Sequence, residues 1–503
     1  MAQRSLSRRL SAQDAAFLYF EKPESPMHIG SIAVFEGDVP FDRFVDNIAS
    51  KLHLIPRYRQ RVVPAPFNLG HPTWEFDPEF DIARHIQRLR IDPPGSHAQL
   101  IELAARLFQG MLGRDKPLWE MYLVEGLEGS RSASISKVHH CLVDGVSGIE
   151  LLMVVLDLSP NPPPPPPALE PYRPPPIPAA PSRLFDAFWD NLADGLDVWA
   201  GFQRGLTDLA LGAATERSRA VMRALETALP YFAVPVTRAP FNKGFSGERQ
   251  VACSEISFQE VRAIRAACGG TVNDVVLAVL GGALGRYLEM HGETIDGRIM
   301  RVLTPVNVRR EDERAALGNR VSMLLVELPV GLRDPVERLR AITARTEALK
   351  RAQVADGLEL AAELLGAGPP AAQALLGMLP TPRNTVANLV CTNVPGPMIP
   401  LYTVGHRMVA HYPLIPIAWE MGIGCGVTSY DQKLYFGLMA DVGAAADVAR
   451  LKEFLDQAYV ELRAAAGVAK TDLPQMGAAP VVKKTRRRGA APVPGQAIAA
   501  DAS

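Results

Sequence analysis

Lys137-Val138-His139-His140-Cys141-Leu142-Val143-Asp144-Gly145 is the stretch on which the reading of this chain turns. The small polar run from Ser132 to Lys137 reads as a strand that delivers two histidines, and Asp144-Gly145 just beyond them favours a turn. An imidazole at a strand end suits proton transfer. Histidine titrates near ~6.5, so at neutral pH much of it is the free base that takes a proton from a weak nucleophile. The pattern HHxxxDG, four fixed positions in seven, arises by accident in roughly one chain in a thousand of ordinary composition.

The 503 residues exceed what one hydrophobic core holds and suggest about two to four domains. Apolar residues make up 48%, and the net charge of −1 gives no global steering toward nucleic acid or an anionic membrane. Five scattered cysteines (Cys141, Cys253, Cys268, Cys391, Cys425) contain no CxxC pair, which argues against a disulfide framework or structural zinc and for a reduced cytoplasmic compartment. Met1 to Leu10 is basic but lacks a signal-peptide core. Leu364 to Pro382 is uncharged, but its Pro and Gly interruptions make it a broken helix and not a membrane span.

Outward from the histidines, Ser25-Pro26-Met27-His28 leads into a strand from Ile29, with His28 read as a packed residue, the alternative being a ring that faces a cavity. Phe41 to Leu54 is an amphipathic helix, and Arg57, Arg59 and Arg61 read as a solvated face, the alternative being a phosphate grip. Gln99 to Leu112 is a helix. Pro117-Leu118-Trp119 enters the strand Met121 to Val124 and, taken alone, is core packing. Val146 to Leu158 is a helix that carries Asp144-Gly145 at its entry. Proline runs from Pro162 to Pro167 and again between Pro171 and Pro181 mark a stiff connector. Five segments follow: 1–158 with HHxxxDG, a linker 159–181, a helical crossover 182–245, a second half 246–468 and a basic, disordered tail 469–503.

In the crossover, Phe185, Phe188, Trp189, Leu192, Leu196 and Trp199 recur at helical spacing and either pack across both halves or lie on lipid. In the second half Thr271-Val272-Asn273-Asp274 opens a long apolar helix through Leu288, where capping alone would explain Asn273 and Asp274. Strands are expected at Arg301 to Val308, Val321 to Val330, Ala387 to Thr392 and Gly405 to Tyr412. A hairpin turns at Tyr430-Asp431-Gln432, and Ala445 to Ala466 closes as a helix.

HHxxxDG together with Pro117-Leu118-Trp119 and Asn273-Asp274 resembles the bacterial wax ester synthase/acyl-CoA:diacylglycerol acyltransferase family. Ser25-Pro26-Met27-His28, Pro305-Val306-Asn307-Val308-Arg309, Leu317-Gly318-Asn319 and Asn393-Val394-Pro395-Gly396-Pro397 fit the same pattern, over residues 8 to 465. The resemblance implies an α/β (α+β) fold of two chloramphenicol acetyltransferase-like halves, as in condensation domains, with mixed sheets, flanking helices and a tunnel where the halves meet. It implies transfer of a long-chain acyl group from acyl-CoA, as co-substrate, to a fatty alcohol or diacylglycerol, with no metal and no bound cofactor. His140 inherits the role of general base and His139 a supporting one. Gly145, Pro117, Leu118, Trp119 and Asp274 enter as substrate-binding or structural motif residues.

On this reading Asp144 fixes the loop, with Arg309 or Arg310 as its partner, and Asn273 is the candidate donor to the tetrahedral oxyanion. Cys141 is disfavoured as a nucleophile because adjacent strand residues point to opposite sides. A metal site lacks a third strong ligand near the two histidines. Two rivals remain: an acyltransferase of condensation or polyketide type that uses a carrier-bound donor, and a non-catalytic lipid-binding protein. Peripheral contact with the inner membrane face or lipid droplets is expected from the substrates' insolubility; nucleic acid is not expected.

Overall fold

In a computed structural model of the protein the described residues are 9–143, 145–165, 172, 174, 176, 177, 185, 234–307, 321–351, 370–380 and 386–471. The first half runs α1 (Ala12–Phe20), β1 (His28–Glu36), α2 (Phe41–Lys51), β2 (Gln60–Val63), β3 (Thr73–Phe76), β4 (Ile86–Arg90), α3 (His97–Leu107), β5 (Trp119–Leu127), β6 (Arg131–His139) and α4 (Gly145–Val155). The second runs β7 (Arg249–Ser257), α5 (Phe258–Cys268), α6 (Val272–Met290), β8 (Ile299–Asn307), β9 (Val321–Pro329), α7 (Pro335–Arg351), α8 (Pro370–Met378), β10 (Leu389–Val394), β11 (Tyr402–Thr403), β12 (His406–Leu414), β13 (Ile423–Tyr430), β14 (Lys433–Asp441) and α9 (Val448–Ala465). These elements build two mixed six-stranded sheets, ordered β11-β12-β1-β6-β5-β4 and β7-β14-β13-β10-β8-β9, with β2 and β3 as a separate pair.

Where element ends differ from the sequence reading, local hydrogen bonds explain it. The helix expected from Gln99 begins at His97, because Ser96 caps it: the Ser96 hydroxyl accepts the Gln99 amide and Gln99 Oε1 accepts the Ser96 amide at 2.7 Å. The β13–β14 hairpin turns on Asp431 and Gln432, both left-handed at φ 41° and 68°, which matches a two-residue turn of primed type.

One strand departs from the linear division of the chain. β12, assigned by sequence to the segment 246–468, pairs antiparallel with β1 from Gly30↔Leu414 to Phe35↔Met408 and so completes the first sheet. Without it β1 would be an open edge, a liability for a strand this apolar. β12 also packs closely on the second sheet. A side chain at Gly437 on β14 would place its Cβ 1.8 Å from the Pro413 carbonyl oxygen, so only glycine permits this approach. The two sheets are thereby joined through close backbone contact as well as a core that includes Tyr412, Tyr430 and Tyr435.

The second half is organised on α6. Its capping box pairs the Thr271 hydroxyl with the Asp274 amide and Asp274 with the Thr271 amide, and Val275 to Leu280, Ala283, Leu284 and Leu288 are fully buried. No single helix among the described residues is long and apolar enough to cross a membrane; α5 and α6 would pass together on length and composition but are bent by 97°. Within Leu364 to Pro382, residues 370–380 are described: α8 ends there, leaving Leu375, Leu376, Met378 and Leu379 exposed. The aromatic crossover beyond Phe185 and the tail from 472 lie outside the described residues.

Candidate active site

β1 and β6 set His28 opposite His139 in register, and the backbone beyond β6 is held on both sides. The His139 amide donates to the Leu118 carbonyl at 3.0 Å, and the His140 amide donates to the Met27 carbonyl at 2.9 Å. A turn follows, closed by the Leu142 amide on the His139 carbonyl at 2.9 Å. Neighbouring residues at a strand end face opposite ways. The His139 side chain accordingly turns inward and is 1% exposed, whereas His140 is half-buried. Phe17 of α1 stacks on the His140 ring at 4.0 Å between centroids and 9° between planes, which fixes the tilt of that imidazole.

His139 is a structural member of the pair. Its Nδ1 accepts the Cys141 amide at 3.1 Å, leaving Nε2 to carry the proton, 3.4 Å from Glu21 Oε1. Glu21, the residue that ends α1, is a buried carboxylate at the centre of this cluster. Oε1 accepts the Met27 amide at 3.1 Å and lies 3.3 Å from His28 Nε2; Oε2 accepts from Arg114 Nη2 at 3.0 Å. Burial would raise the Glu21 carboxyl, but the His139 and His28 imidazoles override it and hold it well below the usual carboxylate range. Burial pushes His28 down to about 4, so that ring is neutral at physiological pH. Sequence reasoning missed Glu21 and Phe17. Their spacing of four residues across α1 puts them on one face, but nothing in the sequence indicates that this face meets the histidines.

Pro117, Leu118 and Trp119 are buried and brace the site from behind. Trp119 donates its indole N–H to the Tyr58 carbonyl at 2.8 Å and stacks on His85 at 4.3 Å, while Leu118 supplies the carbonyl that holds His139. The motif is therefore core packing. His28 is packed as expected, 2% exposed. The three arginines are not a purely solvated face, since each is engaged within the protein. Arg57 lies over Trp74, Arg59 over Tyr172 of the proline connector, and Arg61 donates to the Asp115 carbonyl at 3.1 Å.

Asp274 is 1% exposed and spent on structure: it closes the α6 capping box and accepts the Thr346 hydroxyl of α7 at 2.7 Å. Asn273 is half-buried; its Oδ1 accepts Asn393 Nδ2, from the end of β10, at 3.4 Å. The Asn273 and Asn393 motifs, 120 residues apart, thus meet, though no described hydrogen bond links Asn273 to either histidine. Asp144 and its candidate partners Arg309 and Arg310 lie outside the described residues, and Gly145 opens α4. Cys141 is 4% exposed and its thiol is pushed well up by burial, so it is a poor nucleophile.

Residues 10–276 match the family model described as the wax ester synthase/diacylglycerol acyltransferase catalytic domain, and residues 317–463 match its C-terminal domain. The chain belongs to the wax ester synthase/diacylglycerol acyltransferase family. It is 31% identical over 496 residues, 96% of this chain and 98% of the other, to a Mycobacterium tuberculosis protein named probable diacylglycerol O-acyltransferase. The wax ester synthase/diacylglycerol acyltransferase from Marinobacter aquaeolei VT8 matches over 92% of this chain and 100% of its own, with 25% identity and a TM-score of 0.62. The first condensation domain of the calcium-dependent antibiotic synthetase matches 93% of this chain and 98% of its own at a TM-score of 0.59; at 15% identity it shares the fold alone. This wax ester synthase/diacylglycerol acyltransferase family member is thus an acyltransferase with the mixed α/β fold of two sheets and flanking helices.

Proposed function

We propose that the protein transfers a long-chain acyl group from acyl-CoA to diacylglycerol, to a fatty alcohol, or to both, with His140 as general base and no covalent intermediate. The observation that carries this reading is the contrast between the two histidines: His139 is buried and committed to holding the loop, while His140 is half-buried and oriented by Phe17. In the proposed step the acceptor O–H proton passes to the His140 imidazole as its oxygen bonds to the thioester carbon. The C–S bond breaks on collapse of the tetrahedral intermediate, and the proton passes from the imidazolium to the departing thiolate.

Asn273 is the proposed oxyanion donor. With Oδ1 accepting from Asn393, its Nδ2 is the group that would donate. Asp144 is proposed to fix the loop. A tunnel at the junction of the sheets is proposed to bring both substrates to His140, and the step needs no metal or bound cofactor. Insoluble acceptors imply a peripheral position on the inner membrane face or lipid droplets, checked by pelleting with liposomes at low salt.

The deciding experiment supplies purified protein with palmitoyl-CoA and a panel of alcohols and diacylglycerols, with products identified by mass. Triacylglycerol or wax ester formation supports the proposal. Absence of thioester cleavage with every acceptor refutes it, and turnover of acyl-carrier protein in preference to acyl-CoA would move the enzyme to the carrier-dependent class.

A further inference from the structure

We propose that Glu21 is the positioning residue for His140 and holds that imidazole through two arms that meet on one carboxylate oxygen. The first arm is backbone: the Met27 amide donates to Glu21 Oε1 at 3.1 Å, and the Met27 carbonyl takes the His140 amide at 2.9 Å. The second arm is the neighbouring ring. His139 Nε2 lies 3.4 Å from the same Oε1, while its Nδ1 accepts the amide of Cys141, the residue that follows His140. His140 is therefore flanked in the chain by two residues that the carboxylate restrains and held across it by a third.

Glu21 is itself well anchored. Its side chain is 1% exposed, and Arg114 binds Oε2 at 3.0 Å while donating to the Leu18 carbonyl at 3.0 Å, which ties the carboxylate to the end of its own helix. Four residues back on α1, Phe17 presses on the His140 ring. One helix thus sets both the height of the base, through Glu21, and its tilt, through Phe17. His28 also faces Oε1, but its Nε2 already accepts the Leu112 amide at 3.2 Å, so His139 is the ring with a proton to offer. The carboxyl is held below the usual range despite its burial, so it is anionic at neutral pH, accepts the Met27 amide and attracts the His139 Nε2 N–H.

The proposal rests on His140 being the base, so its test has a readout that does not depend on turnover. In full-length protein with isotopically labelled histidine, the stacked Phe17 ring shifts the His140 ring protons upfield, and H140A assigns the signal. Glu21→Leu is expected to lose that upfield shift and to lower kcat by about 100-fold, with KM for acyl-CoA within about twofold, as expected for a misplaced base. Glu21→Gln keeps an oxygen for both arms and is expected to retain the shift and kcat within about fivefold.

An unchanged shift and kcat in Glu21→Leu, a loss confined to KM, or an equal fall in both variants overturns the proposal. If Glu21→Leu does not fold, the same readings on Glu21→Gln and His139→Gln decide: the first must keep the shift and the second must weaken it. An active H140A enzyme would remove the base reading, yet the ring shift in the Glu21 variants would still report whether Glu21 positions that ring.

Discussion

The two halves differ in what their buried charged groups surround. In the second half Asp274 caps α6 and reaches Thr346, Arg338 donates to the Ala278 and Leu332 carbonyls, and Glu260 accepts from Thr471 and Arg463. Each of these groups ties one helix to a neighbour, and they are spread around an apolar core. In the first half Glu21, His28, Arg114 and His139 converge on a single loop. Burying ionisable groups is costly unless they are paired, so dispersed pairs are read as staples and converging ones as a site. Under the proposed function, the chemistry would lie on the first sheet, with the second half bringing in Asn273.

The comparison breaks most readily at His140. His140→Ala is expected to lower kcat by about 1000-fold or more, the upper range for general acid–base catalysis, with its melting temperature within a few degrees of wild type. Turnover near wild type would mean that the converging cluster is a staple after all. Asn273→Ala tests the contribution of the second half and is expected to cost about 100-fold in kcat with little change in KM, the size of one lost oxyanion donor. If the loss appears instead as a lowered melting temperature with kcat intact, Asn273 only caps α6.

Much of this was legible in the sequence, and what was not has a common cause. Short-range patterns carried α6, the β13–β14 hairpin and the dihistidine strand, because capping residues and hydrophobic alternation lie within a few positions of the element they specify. β12 crossing to the first sheet was not legible: its alternation reports a strand, not which edge it joins. Glu21 was hidden for the same reason. A glutamate between an aromatic helix end and Lys22-Pro23 looks like any surface residue until the fold brings β1, β6 and Arg114 around it. The arginines at 57, 59 and 61 looked solvated because their partners, Trp74, Tyr172 and Asp115, come from elsewhere in the chain.

Acid sharpens the contrast further. Burial lowers His28, His85 and His411 to about 4 each, and all three belong to the first sheet or its margin. In the unfolded chain these rings protonate near ~6.5, while the folded protein resists until about 4. Their neutral burial therefore stabilises the fold fully above ~6.5 and is lost as pH falls toward 4, by on the order of 3 kcal/mol for His28. Glu21 adds little at pH 5, where it is largely ionised in both states; its stabilising contribution is lost progressively as pH falls through the ordinary carboxylate value of 4.5 and below. Hydrogen exchange at pH 5, corrected for intrinsic rates, is expected to show β1 and β12 losing protection before α6. Uniform loss, or α6 first, would deny the first half its separate electrostatic character.

The smallest effect is expected at Cys141, inside the cluster itself. Its sulfur is buried among Leu10, Leu18, Leu118 and Trp74, and what it gives the site is its amide, which bonds His139 Nδ1. Alanine keeps that amide. Cys141→Ala is therefore expected to turn over within about twofold of wild type and to lose about 1 kcal/mol of stability from the small cavity left behind. Mass spectrometry of the wild-type enzyme under turnover is expected to find no acyl adduct on this residue. An adduct, or a Cys141→Ala enzyme as weak as His140→Ala, would make the thiol a nucleophile and turn a one-step transfer into a two-step one. A small effect is informative here because it separates the backbone's part in holding His139 from any chemistry of the side chain.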